Sequence, residues 1–131
     1  MNKYPVWFDC DTGVDDAIAL MTLHGQKEAQ IVGVSAVSGN APLSRTFENT
    51  RKVVRIMGGT YPVFPGAEKP LIRPAKYAPD FHGEDGLGGV SLPPVEAPSE
   101  TLPRLRSFTR SISSFFPRFL SRQIPYPSKP Q

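Results

Sequence analysis

Residues 6–16 (VWFDCDTGVDD) constrain the fold of this chain most, because an apolar run there breaks into four aspartates within eight residues. Side chains alternate along a strand, so Asp9 and Asp11 are expected on one face of a strand end. The glycine that follows gives the backbone freedom to turn, and Asp15 and Asp16 then open a helix. We therefore expect a buried strand, a tight turn and a helix, with the four carboxylates close together.

Four converging carboxylates require an electrostatic explanation. The dipole of a helix stabilises a carboxylate in its first turn by about 0.3–1 kcal/mol, but this accounts only for Asp15 and Asp16. Unit charges about 4 Å apart repel by roughly 4 kcal/mol at an effective dielectric of about 20, so the group needs a bound cation or raised pKa values. The sequence favours the cation. Oxygen ligands suit a hard ion, Ca²⁺ or Mg²⁺, rather than zinc.

The composition is that of one small domain, since 131 residues with 39% apolar content can bury a modest core. The single cysteine, Cys10, excludes an intrachain disulfide and suits a small buried side chain. No long apolar run precedes Asp9, and no later run approaches the roughly 18 residues of a membrane span. We therefore expect a cytoplasmic protein with neither a membrane nor a nucleic acid as its partner.

The net charge of +3 is unevenly distributed along the chain. Residues 1–100 carry 9 basic and 12 acidic side chains, whereas residues 101–131 carry 6 basic side chains and no acidic one. The basic character therefore belongs to the C-terminal segment, and the rest of the chain is slightly acidic.

Hydrophobic patterning predicts an α/β fold. A β-branched run bounded by glycines suits a second buried strand, and apolar residues at steps of 3 and 4 indicate the helix that follows it. The predicted elements alternate as strand 5–9, helix 15–27, strand 29–37, helix 43–57 and strand 61–64. This order predicts a right-handed, Rossmann-like parallel sheet covered by helices.

Two polar clusters are expected at one edge of this sheet. Ligands of parallel α/β sheets bind outside the carboxyl ends of the strands. The segment 9–16 leaves the first strand at that edge, and Asn40 leaves the second. A long loop, residues 65–94, follows, and such loops are usually functional or disordered. His82, which begins its HGEDGLGG run, is either a surface histidine or a residue that lines the site.

Three segments together resemble the inosine/uridine-preferring nucleoside hydrolases. They are DCDTGVDDAIAL at 9–20, SGNAPLSRTFENTRKVV at 38–54, and PVFPGAEKPLIRP followed by HGEDGLGG at 62–74 and 82–89. The resemblance covers residues 5–94 in the correct order. It implies a ribonucleoside hydrolase that splits the N-glycosidic bond of a purine or pyrimidine nucleoside into ribose and free base, with a bound Ca²⁺.

The same resemblance implies a role for each matching residue. Asp11 and Asp16 would ligate the calcium, and Asp11 would also act as general base on a calcium-bound water. Asp15 would bind the ribose hydroxyls, and Asn40 would lie near the sugar and the nucleophilic water. Two further residues complete the expected site: Asp9, supporting the cluster from behind, and His82, beside the base.

The C-terminal segment departs from the family. We expect residues 1–98 to form the N-terminal part of a nucleoside hydrolase domain and residues 99–131 to be an unrelated tail, either disordered or the product of a frameshift or a truncated gene. Family members are longer, and their remaining ligands come from later segments. The chain alone is therefore expected to be a truncated, inactive fragment. A basic amphipathic helix in the tail that binds a membrane or nucleic acid is the alternative.

Two other functions share some of these sequence features. A phosphatase of the haloacid dehalogenase type also places Asp-x-Asp after a buried strand, but it expects Gly-Thr where this chain has Thr12 and Gly13. A non-catalytic remnant that only binds ribose or calcium, or that associates as a homo-oligomer, would share the nucleoside hydrolase motifs. Hydrolysis of a nucleoside distinguishes such a remnant from an enzyme.

Overall fold

Three parallel strands and the helices that connect them form the part of the chain that the structure describes, residues 3–96 of a computed structural model. The strands are adjacent in chain order. The elements are β1 (Tyr4–Cys10), α1 (Val14–His24), β2 (Ala29–Ala36), α2 (Leu43–Ile56), β3 (Val63–Pro65) and the single turn α3 (Pro79–His82). The predicted parallel α/β fold is confirmed. The tail predicted for residues 99–131 lies outside the described residues.

The strand register brings the ends of β1 and β2 to the same level. Residue pairs run from Tyr4 with Ala29 to Cys10 with Ala36, with a shift in register after Val6. Val37 then donates its backbone N–H to the Cys10 carbonyl over 2.8 Å. The chain therefore leaves both strands at one edge of the sheet, the edge at which the polar residues were predicted to meet.

The hydrophobic core lies between the sheet and the two long helices. Leu20 of α1, Val34 of β2 and Val53 of α2 are fully buried within it. Leu87, far along the chain in the loop after α3, joins the same cluster and is only 7% exposed. The glycine-rich loop is therefore anchored in the core.

A chain of buried hydroxyl groups crosses this core from β1 to α2. Thr50 donates to the Thr46 carbonyl over 2.7 Å, and its Oγ1 lies 2.6 Å from Thr12 Oγ1. Since a hydroxyl has a single proton, Thr12 must be the donor to Thr50. Cys10 Sγ, 3.2 Å from Thr12 Oγ1, completes the series. These contacts fix the start of the β1–α1 loop against α2.

The structure corrects several predicted boundaries. The first strand is not fully buried, because β1 lies at the edge of the described sheet, where residues 5–8 are half-buried and Asp9 is exposed. The helix α1 ends at His24 rather than at residue 27, because Gly25 forms its C-cap. The predicted loop 65–94 contains the short helix α3. Among the described residues, no helix has the length and apolar character needed to cross a bilayer.

Candidate functional site

Asp11 and Asn40 meet where β1 and β2 end. The backbone N–H of Asn40 donates to Asp11 Oδ2 over 2.7 Å, and the Asn40 side-chain amide lies 3.4 Å from the Asp11 carbonyl. Residues from separate loops, 29 positions apart, are thus joined by direct hydrogen bonds. The predicted convergence of the two polar clusters is present in the structure.

Asp16 turns back from α1 towards the same loop. Its Oδ2 accepts the backbone N–H of Asp11 over 3.2 Å. Burial raises the pKa of Asp16 above its ordinary value, and the nearby carboxylates of Asp11 and Asp15 raise it further. The pKa is raised because the ionised carboxylate loses hydration and faces like charges. A cation at this point would relieve both effects.

Two glycines make room for these contacts. A Cβ atom on Gly39 would collide with the Asp11 carboxylate. A Cβ atom on Gly13 would lie 2.6 Å from His82 Nδ1 and 2.8 Å from Asn40 Nδ2, which is closer than real Cβ contacts allow. The missing side chains therefore let the carboxylate, the amide and the imidazole approach the β1–α1 loop closely.

His82 lies over the first turn of α1. Its Nδ1 is 3.4 Å from the backbone nitrogen of Val14, an orientation in which the ring accepts the N–H, and 3.8 Å from Asp15 Oδ1. The His82 side chain is 16% exposed, whereas that of Asp15 is 75% exposed. The histidine is therefore held against the site, and the Asp15 carboxylate remains accessible to a ligand.

Asp9 has a different environment from the other three aspartates. It accepts a hydrogen bond from Ser35 Oγ, and Trp7 Nε1 donates to the same Ser35 oxygen over 2.9 Å. Because β1 ends at Cys10, strand alternation does not fix the direction of Asp11. The described contacts connect Asp9 to β2 rather than to Asp11 or Asp16, and its supporting role stays a prediction.

The two carboxylates of Asp11 and Asp16 fit a hard cation by their chemistry. Both are oxygen donors, the Asp16 carboxylate accepts the backbone N–H of Asp11, and the repulsion between the two carboxylates favours a bound positive charge. Within residues 3–96, no three Asp, Glu, His or Cys side chains are grouped closely enough to form a ligand set by themselves. For a hard cation, the described residues would therefore supply only part of a coordination shell, and water, backbone, substrate or other segments would supply the rest.

Asp85 and Asn49 are two further residues near the site that were not predicted from the sequence. Asp85 Oδ1 accepts the backbone N–H groups of Leu87 and Gly89, each over 3.1 Å, and these bonds lower the pKa of Asp85. The side chain of Asn49 in α2 donates to the Asp85 carbonyl over 2.8 Å. An acidic residue among closely spaced glycines signals a loop folded around a carboxylate. By contrast, the partner of Asn49 becomes apparent only in three dimensions.

Comparison with known proteins identifies the family to which this site belongs. The sequence model of the inosine-uridine preferring nucleoside hydrolases matches residues 6–122, most of the chain. The chain belongs to this family. The nucleoside hydrolase match extends beyond residue 94, where the motif resemblance ends, so the domain boundary at residue 98 stays a prediction. The alternative of a haloacid dehalogenase-type phosphatase gains no support from it.

Individual relatives show how much of a nucleoside hydrolase the chain covers. The uridine nucleosidase of Saccharomyces cerevisiae is 43% identical over 96 residues, which are 72% of this chain and 28% of the yeast protein. The inosine-uridine preferring nucleoside hydrolase of Leishmania major is 41% identical over 87 residues, 66% of this chain and 28% of that protein. The chain thus spans less than a third of the length of these curated relatives.

The fold agrees with that of a solved structure. A purine-preferring ribonucleoside hydrolase from Gardnerella vaginalis superimposes with a TM-score of 0.76 over 86% of this chain and 37% of the other. The two sequences are 21% identical in this comparison, so the match shows the fold and not the substrate. The predicted nucleoside hydrolase type of parallel sheet is confirmed.

Proposed function

We propose that this chain carries the N-terminal part of a ribonucleoside hydrolase site, which cleaves the N-glycosidic bond of purine or pyrimidine nucleosides to ribose and free base. One observation carries the proposal. Asp11, joined to Asn40 and next to Asp16, lies at the carboxyl edge of the sheet, where α/β folds bind ligands. The family membership supports the same chemistry. Release of free base would serve nucleoside salvage.

In this proposal Asp11 and Asp16 hold Ca²⁺. Their oxygen donors suit calcium, and the pKa of Asp16, raised by burial and by neighbouring carboxylates, supports a neutralising charge at this point. When bound, the ion would position a water and lower its pKa. Calcium takes 6–8 oxygen ligands, so these two carboxylates leave most of the coordination shell to other donors.

The remaining residues act on the water and the sugar. Asp11 takes a proton from the attacking water as general base, while the cluster of carboxylates stabilises the positive charge that develops on the ribose. Asp15, which is more exposed than Asp11 and Asp16, binds the ribose hydroxyls, and Asn40 contacts the sugar and the water. His82, which lies directly beside Asp15, contacts the base.

A cytoplasmic location and a homo-oligomer are part of the same proposal. Within the described residues, β1 and β3 are the outer strands of the sheet. Each outer strand presents backbone hydrogen-bonding groups that can pair with another chain. A second copy would cover such an edge, and sedimentation of the purified protein tests this.

Calorimetry with Ca²⁺ tests the proposed site, first alone and then with inosine or uridine present. We expect calcium binding by the wild type, and weaker binding by Asp11→Asn and by Asp16→Asn. The control is Asp80→Asn, which removes an exposed carboxylate of α3 and should bind as the wild type does. Equal affinity in all four proteins would place calcium elsewhere and remove the main support for this function.

The rival function, that of a non-catalytic remnant that only binds ribose or calcium, predicts a different combination of results. It requires calcium-dependent nucleoside binding without release of base by the protein in any oligomeric state. Release of base by the wild type, but not by Asp11→Asn, would decide for the enzyme.

A further inference from the structure

The glycine-rich loop after α3, residues 82–89, is folded around the carboxylate of Asp85. Oδ1 of Asp85 accepts the backbone N–H groups of Leu87 and Gly89, each over 3.1 Å, and Oδ2 accepts the Gly89 N–H over 3.2 Å. Hydrogen bonds to an ionised acceptor are stronger than bonds between neutral groups. The carboxylate therefore determines the path of the backbone around it.

This path needs backbone conformations that most residues avoid. Four glycines of the loop have positive φ angles, between 66° and 82°. One of them, Gly86, also lies where a Cβ atom would be 3.0 Å from Asn49 Nδ2. A glycine chain is flexible when unconstrained, so the loop owes its single conformation to the contacts that hold it.

Two contacts fix the loop to the body of the domain. Asn49 is 5% exposed, and its side-chain amide donates to the Asp85 carbonyl over 2.8 Å. Leu87 is inserted into the hydrophobic core next to α1 and α2. The position of Asp85 is therefore set from α2, an element that also contributes to the core under the β1–α1 loop.

The other end of this loop is His82. The backbone N–H of Gly88 donates to the His82 carbonyl over 2.7 Å, which closes the loop on itself. The ring of His82 then lies over Gly13, with Nδ1 3.4 Å from the backbone nitrogen of Val14. A continuous series of contacts thus runs from Asn49 through Asp85 and the loop backbone to the imidazole at the site.

From this series we infer that Asp85, held by Asn49, is a positioning residue that sets the location of the His82 imidazole against the β1–α1 loop for contact with a nucleoside base. The inference rests on the proposed function in one respect, the contact between His82 and the base. The positioning itself concerns the folded chain and can be measured without substrate. If the Asp85 carboxylate only stabilised the loop, its removal would leave the His82 ring in place.

The imidazole resonances of the full chain provide the direct test. The chain has two histidines, so His24, 58 positions away in sequence, serves as an internal reference in the same spectrum. We expect Asp85→Ala to shift the His82 ring signals and to remove the contact between the ring and the Val14 amide proton, while the His24 signals stay in place. Exchange of the Leu87 and Gly89 amides should become at least roughly tenfold faster.

Three further variants sharpen this test. Asp85→Asn keeps the volume and one acceptor oxygen, so the His82 signals should return part of the way to their wild-type positions. Asn49→Asp places a carboxylate against the Asp85 carbonyl and should move the same signals as Asp85→Ala. The matched control is Glu84→Ala, which removes the exposed neighbouring carboxylate and should change neither histidine.

Unmoved His82 signals in Asp85→Asn and Asn49→Asp, both well folded, would overturn the inference. If Asp85→Ala does not fold, these two variants still decide it, because both keep the side-chain volume at the altered position. Equal shifts of His24 and His82 would likewise contradict it, since they indicate a general change in the fold.

Nucleoside binding in the presence of calcium gives a second readout. If Asp85 acts through His82, the double variant Asp85→Asn/His82→Ala should bind inosine no more weakly than His82→Ala alone, whereas independent roles would give additive losses. Additive losses would overturn the inference. A wild type that binds no nucleoside would refute the proposed function, and the imidazole spectra would still decide the positioning role.

Discussion

The backbone N–H of Asn40 donates a hydrogen bond of 2.7 Å to Asp11 Oδ2, and through it one carboxylate joins the loops that follow β1 and β2. Oδ2 of Asp16 accepts from the Asp11 backbone on the other side. The position of the Asp11 carboxylate is therefore set from β2 as well as from its own loop. Such fixation from two elements is what a catalytic or metal-binding carboxylate requires.

Removal of the Asp16 charge should stabilise the metal-free protein. The pKa of Asp16 is raised in the folded state by burial and by Asp11 and Asp15, so the folded chain binds this proton more tightly than the unfolded chain does. The resulting stability is present in acid and is lost as the pH rises through the folded pKa. With a chelator present, Asp16→Asn should raise the melting temperature at neutral pH by a few degrees and flatten its fall between mildly acidic and neutral pH.

Calcium should reverse the order of the melting temperatures of the wild type and Asp16→Asn. The wild type should gain melting temperature as calcium is added, and Asp16→Asn should gain little, because ligand binding stabilises only the form that binds. Asp80→Asn, at an exposed position, should behave as the wild type in both conditions. A metal-free Asp16→Asn protein that melts below the wild type at neutral pH would contradict the electrostatic argument.

Substitution of Gly39 should damage both stability and calcium binding. In Gly39→Ala the new methyl group collides with the Asp11 carboxylate, and overpacking of this kind costs about 1–3 kcal/mol. Gly25→Ala is the matched control, because its Cβ meets nothing closer than 3.5 Å and the residue has a helical φ of −75°. Chemical denaturation should give Gly39→Ala a free energy of unfolding well below that of the wild type, and Gly25→Ala a value close to that of the wild type. Equal stability and equal calcium affinity in the two variants would refute the close approach of Gly39 to the Asp11 carboxylate.

The buried hydroxyl pair should behave as one energetic unit. Thr50→Val leaves the Thr12 hydroxyl, which is fully buried, without its acceptor. An unsatisfied buried polar group costs about 1–3 kcal/mol. The double variant Thr12→Val/Thr50→Val removes both partners and should cost less than the sum of the two single variants. Urea unfolding of the four proteins measures this coupling energy.

A solvent-exposed threonine provides the control for that cycle. Thr22 donates to the Ile18 carbonyl on the outside of α1, and Thr22→Val should change the free energy of unfolding by no more than about 0.5 kcal/mol. Additive losses in the double variant would show that the Thr12 and Thr50 hydroxyls do not interact.

Release of free base by the 131-residue chain should be slow. Two carboxylates supply only part of the 6–8 oxygens that calcium takes, and the chain spans 28% of the length of the yeast uridine nucleosidase. A misplacement of about 1 Å in a site can cost roughly a hundredfold in rate. With inosine or uridine and calcium, we therefore expect turnover well below the usual enzymatic range of roughly 1–10³ s⁻¹. Ordinary turnover that disappears in Asp11→Asn would show that the chain completes its own site.

The sequence predicted the order of the elements because hydrophobic periodicity is a local property. Five of the six elements in the described residues correspond to predicted ones, and α2 matches most closely. Its actual buried face includes Thr46 and Asn49, which a search for apolar residues passes over. The full burial expected for β1 was wrong, because burial depends on what lies beside the strand rather than on its own residues.

The sequence also located the candidate site, and the reason is geometric. Parallel strands must end at one edge, so the polar residues that follow β1 and β2 could meet only there. Asp11, Asp16 and Asn40 do meet there, and His82 lies against the same loop. What the sequence determined by itself was therefore the parallel α/β fold, the family, and the edge of the sheet that holds the carboxylates.

Only the tertiary structure decided which atoms pair. The Asn40 backbone N–H contacts Asp11, Ser35 contacts Asp9, and Asn49 contacts Asp85. Each pair is separated by 26 to 36 residues, and no local pattern specifies such a contact. These partners depend on the strand register and on the depth to which the loop after α3 packs. Register and packing are settled by the competition of many weak contacts across the whole domain.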